Sequence, residues 1–241
     1  MQKIKAKAIL FDKDGTLLEF APFWQAVSVY AVREFANSFN LDNVVAEKAL
    51  REIGVGEDYF DVDGLLCKGT YGQIAKAMYP IFTNAGVSIK EDEWTDLCVK
   101  VFHKNIEKGV VLPTSKNLKS ALQQLKERGK KLYVVTSDDE HTTSVCLKGL
   151  GIDNLFDKVY VDDGVNPHKP DPYNANVIMR ENGFLPEDLV MVGDTLSDAN
   201  FAKNAGIKCI GIVKTEQGKK LLDGNVTVMV EDISKITEIV E

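Results

Sequence analysis

Two textures alternate along most of this chain. Short, nearly continuous apolar runs stand at residues 4–11, 131–135, 158–161, 189–192 and 207–212. Runs of that kind predict strands of a parallel sheet covered on both faces. Between them, apolar residues recur at helical spacing. After Pro113, Thr114 is placed to cap a helix carrying Leu118, Ala121, Leu122 and Leu125, and Gly129 stops it. Residues 142–149, 172–182 and 197–205 repeat the helical texture, the last ending at Gly206. Strand and helix in alternation over residues 113–230 predict βαβ units. The expected class is therefore α/β, a Rossmann-like, doubly wound parallel sheet.

The stretch after the first strand reads differently. Residues 21–39 predict a long amphipathic helix with Phe23, Ala26, Val27, Tyr30 and Ala31 on one stripe. Asp42 can cap a second helix through Leu50, and residues 70–78 and 91–107 give two more. No strand pattern interrupts them. The expected organisation is an α/β core over residues 1–17 and 109–241, with a helical domain over residues 18–108 inserted after the first strand.

Composition narrows the class without changing the picture. At 241 residues, with about 150 residues to a typical domain, the chain holds one large domain or two modest ones. Hydrophobic residues make up 44% and charged residues 27%, which excludes disordered and fibrous chains. The net charge of -7 offers no broad field for a nucleic-acid backbone, although a local basic pocket for one phosphate remains open. Cys67, Cys98, Cys146 and Cys209 lie far apart, without metal-site or disulfide spacing, and read as single thiols in a reducing compartment. No leader-like or membrane-spanning run is evident, so a cytoplasmic protein without a membrane partner is expected, as monomer or homodimer.

The candidate chemistry sits at strand ends. In Phe11-Asp12-Lys13-Asp14-Gly15-Thr16, two carboxylates follow an apolar strand at i and i+2, which point the same way in extended chain. Ligands of open α/β sheets bind at that edge; Asp-Gly is also an ordinary turn signal. Thr136 and Ser137 end the second strand, where a hydroxyl can donate to a phosphate oxygen or cap a helix. Lys169 stands in Asn166-Pro-His-Lys-Pro-Asp-Pro, where prolines restrict the backbone and can aim the ammonium, a compact charge suited to phosphate. Asp194 follows the apolar run at residues 189–192, and Asp198 lies one turn on, at a position where an acid also serves as a plain cap. Clustered carboxylates repel unless a cation compensates, and oxygen-only ligands suit Mg²⁺.

These four motifs, FDKDGTL, the strand-terminal Thr136, the Lys-Pro-Asp-Pro lysine and VGDTLSD, resemble in order those of the haloacid dehalogenase superfamily of phosphohydrolases. The insertion resembles the helical, C1-type cap of the phosphoglycolate phosphatase and β-phosphoglucomutase branch. The resemblance implies Asp12 as nucleophile and Asp14 as general acid and base. It implies Thr136 and Ser137 at the phosphoryl group, with Lys169 neutralising charge. Mg²⁺ would be held by Asp12, the Asp14 carbonyl and Asp194, supported by Asp198. A carboxylate at Asp14 separates phosphatases of the family from its dehalogenases. The implied reaction is hydrolysis of a small phosphomonoester metabolite, phosphoglycolate or a sugar phosphate, through an aspartyl-phosphate.

In the insertion, the glycine-rich turn at residues 63–72 carries Lys68 and Thr70, which resemble a substrate-contacting cap loop and equally fit an inter-helix turn. Phe20, Phe23 and Trp24 suit packing better than a cleft. A phosphomutase is the nearest alternative. Phosphonoacetaldehyde hydrolysis would need a Schiff-base lysine, for which Lys48 and then Lys68 are candidates. From another class, a phospho-aspartate regulatory module would require neither Asp14 nor an insertion.

Overall fold

The computed structural model describes residues 2–241. In chain order, β1 (Ala8–Phe11) is followed by five helices: α1 (Phe20–Ser38), α2 (Asn43–Glu52), α3 (Leu65–Lys68), α4 (Tyr71–Asn84) and α5 (Glu91–Lys104). Then come α6 (Leu118–Glu127), β2 (Lys131–Val135), α7 (Glu140–Gly149), β3 (Lys158–Tyr160), α8 (Tyr173–Asn182), β4 (Leu189–Gly193) and α9 (Leu196–Ala205). The chain closes with β5 (Lys208–Ile212), α10 (Glu216–Leu222), β6 (Val228–Val230) and α11 (Ile236–Ile239). Two compact units result: the chain up to Glu19 together with Leu112–Glu241, and Phe20–Val111.

The first unit is a six-stranded sheet in the order β3-β2-β1-β4-β5-β6, with every pairing parallel. Alternation along β1 splits its side chains between two covered faces. Ile9 and Phe11 join Leu118, Leu122, Leu125, Ile236 and Ile239 on one side. Ala8 and Leu10 join Ile178, Phe201 and Ala202 on the other. That double cover is why the strands read as continuous apolar runs. Register sets Phe11 beside Val134 and Val192, so β1, β2 and β4 end together at one edge.

The second unit is helical. Asp42 caps α2 by accepting from the Val44 N–H, as its position predicts. Trp94, fully buried, packs edge-on to Phe35 at 4.5 Å and lies 4.9 Å from Phe82, while its indole N–H donates to the Ala75 carbonyl at 2.7 Å. One residue thus ties α1, α4 and α5. Buried aromatic residues of this kind each contribute a few kcal/mol, and Trp94→Ala would cost about 3–5 kcal/mol.

Several local expectations need correction. The first strand begins at Ala8; Ile4 makes only a single bridge to Val240. Thr114 does not cap α6, which starts after Asn117. Its N–H donates to the Leu17 carbonyl at 3.1 Å and its hydroxyl to the Thr16 carbonyl, so both groups are taken by the chain crossing beside β1. There Leu18 and Pro113 form an antiparallel bridge. The helix begun at Thr70 runs on through Pro80 to Asn84, and the helix from Glu91 stops at Lys104, before a short turn at Ile106–Lys108. The polar α10 and the three-residue edge strand β6 were unforeseen.

Candidate active site

Three strand ends and one loop build the site. Asp12 leaves β1 with its backbone N–H donating to the Val192 carbonyl at 2.9 Å, which fixes it beside β4. The chain then turns through Gly15, at φ +76°, where a side chain would be strained. Thr16 sends its hydroxyl to the Asp194 carboxylate at 3.0 Å, tying the turn after β1 to the end of β4. Thr195 caps α9, and Asp198 completes the capping box: its Oδ2 accepts from the Thr195 N–H and hydroxyl at 3.1 and 2.7 Å. Asp198 is therefore a cap, and it is also more than a cap.

Its other oxygen accepts from Lys169 at 2.6 Å, and Lys169 also donates to Asp12. Asp12, Asp194 and Asp198 each present a carboxylate oxygen, all within 4.8 Å of one another. Asp12, Asp198 and Lys169 are buried, and Asp194 is half-buried. Three carboxylates face one ammonium, an excess of two negative charges. Burial, with Asp198 nearby, pushes the Asp12 carboxyl up to about 6 against the pull of Lys169. Burial, Asp12 and Asp198 push Asp194 well above the ordinary carboxylate range. Burial opposes the charge on Lys169, yet Asp12 and Asp198 outweigh it and hold the ammonium above its ordinary range. Such crowding is relieved by a divalent cation, and a donor set of oxygens alone suits Mg²⁺. The residues present fit that ion.

The carboxylate of Asp14 is outside this group. It pairs at 2.6 Å with Lys13, which also pairs at 2.8 Å with Asp138 in the loop after β2. Sequence reasoning named neither Lys13 nor Asp138. A lysine between two acids looks solvated, and only its burial marks it out. The doubled acid in Thr136-Ser137-Asp138-Asp139 was the available signal; Asp139 caps α7. Thr136 is buried at the end of β2, and its hydroxyl oxygen accepts from the Asp138 N–H at 3.2 Å, leaving the hydroxyl proton for donation elsewhere. Ser137 is exposed at the same edge.

Lys68 and Thr70 belong to the helical unit. Thr70 caps α4 in a capping box with Gln73, and exposed Lys68 pairs with Asp63 at 2.6 Å. That pairing raises the Lys68 ammonium above its ordinary range, the opposite of what a Schiff-base lysine needs. Lys48 is exposed on α2. Phe23 and Trp24 are buried and packed edge-on at 5.3 Å. The cysteines are free thiols: Cys98, Cys146 and Cys209 buried, Cys67 half-buried. Among the described residues, no helix is long and apolar enough to cross a membrane.

Comparison with known proteins bears on the same elements. The chain is 37% identical over 101 residues to the pyrophosphatase PpaX of Bacillus velezensis, a match covering 42% of this chain and only 47% of that protein. It is 28% identical over 205 residues to a phosphoglycolate phosphatase of Aquifex aeolicus, covering 84% of this chain and 82% of that one. A crystal structure of a predicted phosphoglycolate phosphatase from Haemophilus somnus 129pt superposes with a TM-score of 0.70 at 23% identity, over 97% of each chain. At that identity the likeness is one of fold. The family model of the haloacid dehalogenase-like hydrolases matches residues 6–206, a span from just before β1 to just past α9. The chain belongs to the haloacid dehalogenase-like hydrolases.

Proposed function

We propose that this hydrolase is a Mg²⁺-dependent phosphatase of a small phosphomonoester metabolite, phosphoglycolate or a sugar phosphate. The reading is carried by one observation: the carboxylates of Asp12, Asp194 and Asp198 converge at one sheet edge, with Lys169 paired to Asp12 and Asp198 and two negative charges in excess. The phosphoglycolate phosphatases among the relatives support the substrate class. The helical unit would act as the cap that selects the leaving group.

Asp12 attacks phosphorus, and the ester P–O bond breaks as Asp14 gives its proton to the departing alkoxide oxygen. Asp14, now ionised, takes a proton from water as that water attacks the aspartyl-phosphate, releasing phosphate and restoring both carboxyl groups. Lys169 neutralises Asp12 and a phosphoryl oxygen. Thr136 donates its free hydroxyl proton to a second oxygen, with the backbone near Ser137. Asp12, the Asp14 carbonyl and Asp194 would hold Mg²⁺, with Asp198 supporting them. The bound ion supplies charge neutralisation between the carboxylate and the phosphate dianion.

The test is phosphate release from a panel containing phosphoglycolate, sugar phosphates and pyrophosphate, with Mg²⁺ and with chelator. Release that needs Mg²⁺ and vanishes in Asp12→Asn supports the reading. Release indifferent to chelator, or retained in Asp12→Asn, refutes it. Recovery of an isomeric sugar phosphate in place of free phosphate identifies a mutase.

A further inference from the structure

Lys13 is 0% exposed, although it stands between two aspartates in sequence. Its Nζ lies 2.6 Å from Asp14 and 2.8 Å from Asp138, and donates to Cys146 Sγ at 3.8 Å. Burying an ammonium and two carboxylates costs several kcal/mol per ion before the attraction between them is counted, and an apolar side chain would fill the same space without that cost. Stability therefore does not account for this ion group.

Geometry does. The two acids of Asp12-Lys13-Asp14 are each held by a different buried lysine: Asp12 by Lys169 and Asp14 by Lys13. Asp14 is thereby kept out of the group formed by Asp12, Asp194 and Asp198. Lys13 is itself fixed on all sides. Its carbonyl accepts from the Leu17 and Leu18 N–H groups, which closes the turn carrying Asp14. Asp138 holds the ammonium from the end of β2, where its own N–H is tied to the Thr136 hydroxyl.

We infer that Lys13 is a positioning residue for Asp14, anchored by Asp138, and that it aims the Asp14 carboxyl at the leaving-group oxygen. This rests on the role of Asp14 proposed above. As the ester P–O bond breaks, the Asp14 proton passes to the ester oxygen; a misplaced Asp14 cannot deliver it. The handicap grows with the basicity of the leaving group and nearly disappears for a group that departs unprotonated.

The test is kcat/KM with Mg²⁺ for phosphomonoesters ranging from alkyl phosphates to para-nitrophenyl phosphate. Lys13→Met should lose about 10- to 100-fold on alkyl esters, within the usual span of general-acid contributions. On para-nitrophenyl phosphate it should lose less than about threefold. Added to Asp14→Asn, Lys13→Met should cost no more than about twofold further, because the two residues act as one unit. The double variant Lys13→Met/Asp138→Asn removes the ammonium together with the Asp138 charge, so it leaves no Asp138 carboxylate buried without its partner. It should keep the fold, checked by circular dichroism, and show the same dependence on leaving group. Equal losses across all esters, or losses of Lys13→Met and Asp14→Asn that multiply, would overturn the inference while the phosphatase reading stands. A wild-type protein that hydrolyses no phosphomonoester would overturn both.

Discussion

Gly15 lies directly against Asp194: a β-carbon built on Gly15 would sit 2.1 Å from Asp194 Oδ2. The same glycine has φ +76°, so the turn that follows Asp12 depends on its lack of a side chain twice over. Gly15→Ala should displace the Asp194 carboxylate, and an error of about 1 Å at a reacting centre costs on the order of 100-fold. The left-handed backbone adds roughly 1–2 kcal/mol of strain. Turnover of the best panel substrate and the urea midpoint would measure both.

Among the described residues, Lys169 alone forms ion pairs with both Asp12 and Asp198. Lys169→Met leaves three clustered carboxylates without it. Breaking such a pair costs about 3–5 kcal/mol. The loss should appear in urea unfolding without metal and shrink when Mg²⁺ is added. Activity should fall by about 100- to 1,000-fold, the usual effect of removing one electrostatic stabiliser.

Metal should stabilise the protein in a pH-dependent way. Asp12 titrates in the folded state at about 6, above its ordinary 3.8. Between those values the folded protein binds the proton that the unfolded chain has released. The metal-free protein therefore loses stability as pH rises through that window. Mg²⁺ competes with the proton, so the thermal shift it produces should be larger at pH 7.5 than at pH 5 (both about a unit or more from the folded value). At 100 times the dissociation constant the expected stabilisation is about 2.7 kcal/mol. An equal shift at both pH values would contradict the electrostatic account of the site.

Acid stability should depend on a residue far from this chemistry. Asp157, before β3, accepts from the Lys131 and Lys126 ammonium groups and from the Leu132 N–H at 2.8, 2.9 and 2.9 Å. Against the cost of burial, these bonds lower its carboxyl from 3.8 to about 2. Solvent screens these pairs at an exposed position, so the contribution is about 1 kcal/mol or less; it is present above the unfolded value and disappears as pH falls toward 2. Asp157→Asn should lower the urea midpoint at pH 7 and flatten its fall below pH 4 (about where the unfolded carboxyl titrates).

Much of this architecture was legible in the chain because parallel strands buried on both faces carry their pattern locally. The ends of β1 and β4 announced Asp12 and Asp194 by an abrupt change from apolar to acidic, and the register of β1 with β4 brings the two ends together. Lys13 was illegible for the converse reason. Its environment is set by Asp138, 125 positions away, and by Cys146 on α7, so no local pattern separates it from a solvated lysine. Thr114 had every local mark of a cap and serves Thr16 and Leu17 instead. The edge strand β6 is too short and too weakly covered to leave a period of its own.

The antiparallel bridge of Leu18 with Pro113 has a consequence for how such a chain diversifies. Departure and return of the inserted segment share one doorway, stitched by the Glu19 N–H to the Leu112 carbonyl at 2.9 Å. Whatever lies between can be lengthened, swapped or rewritten while the six-stranded ladder and its hydrogen bonds stay intact. A foreign helical segment grafted between Glu19 and Leu112 should therefore leave the strand ends that carry Asp12 and Asp194 in register.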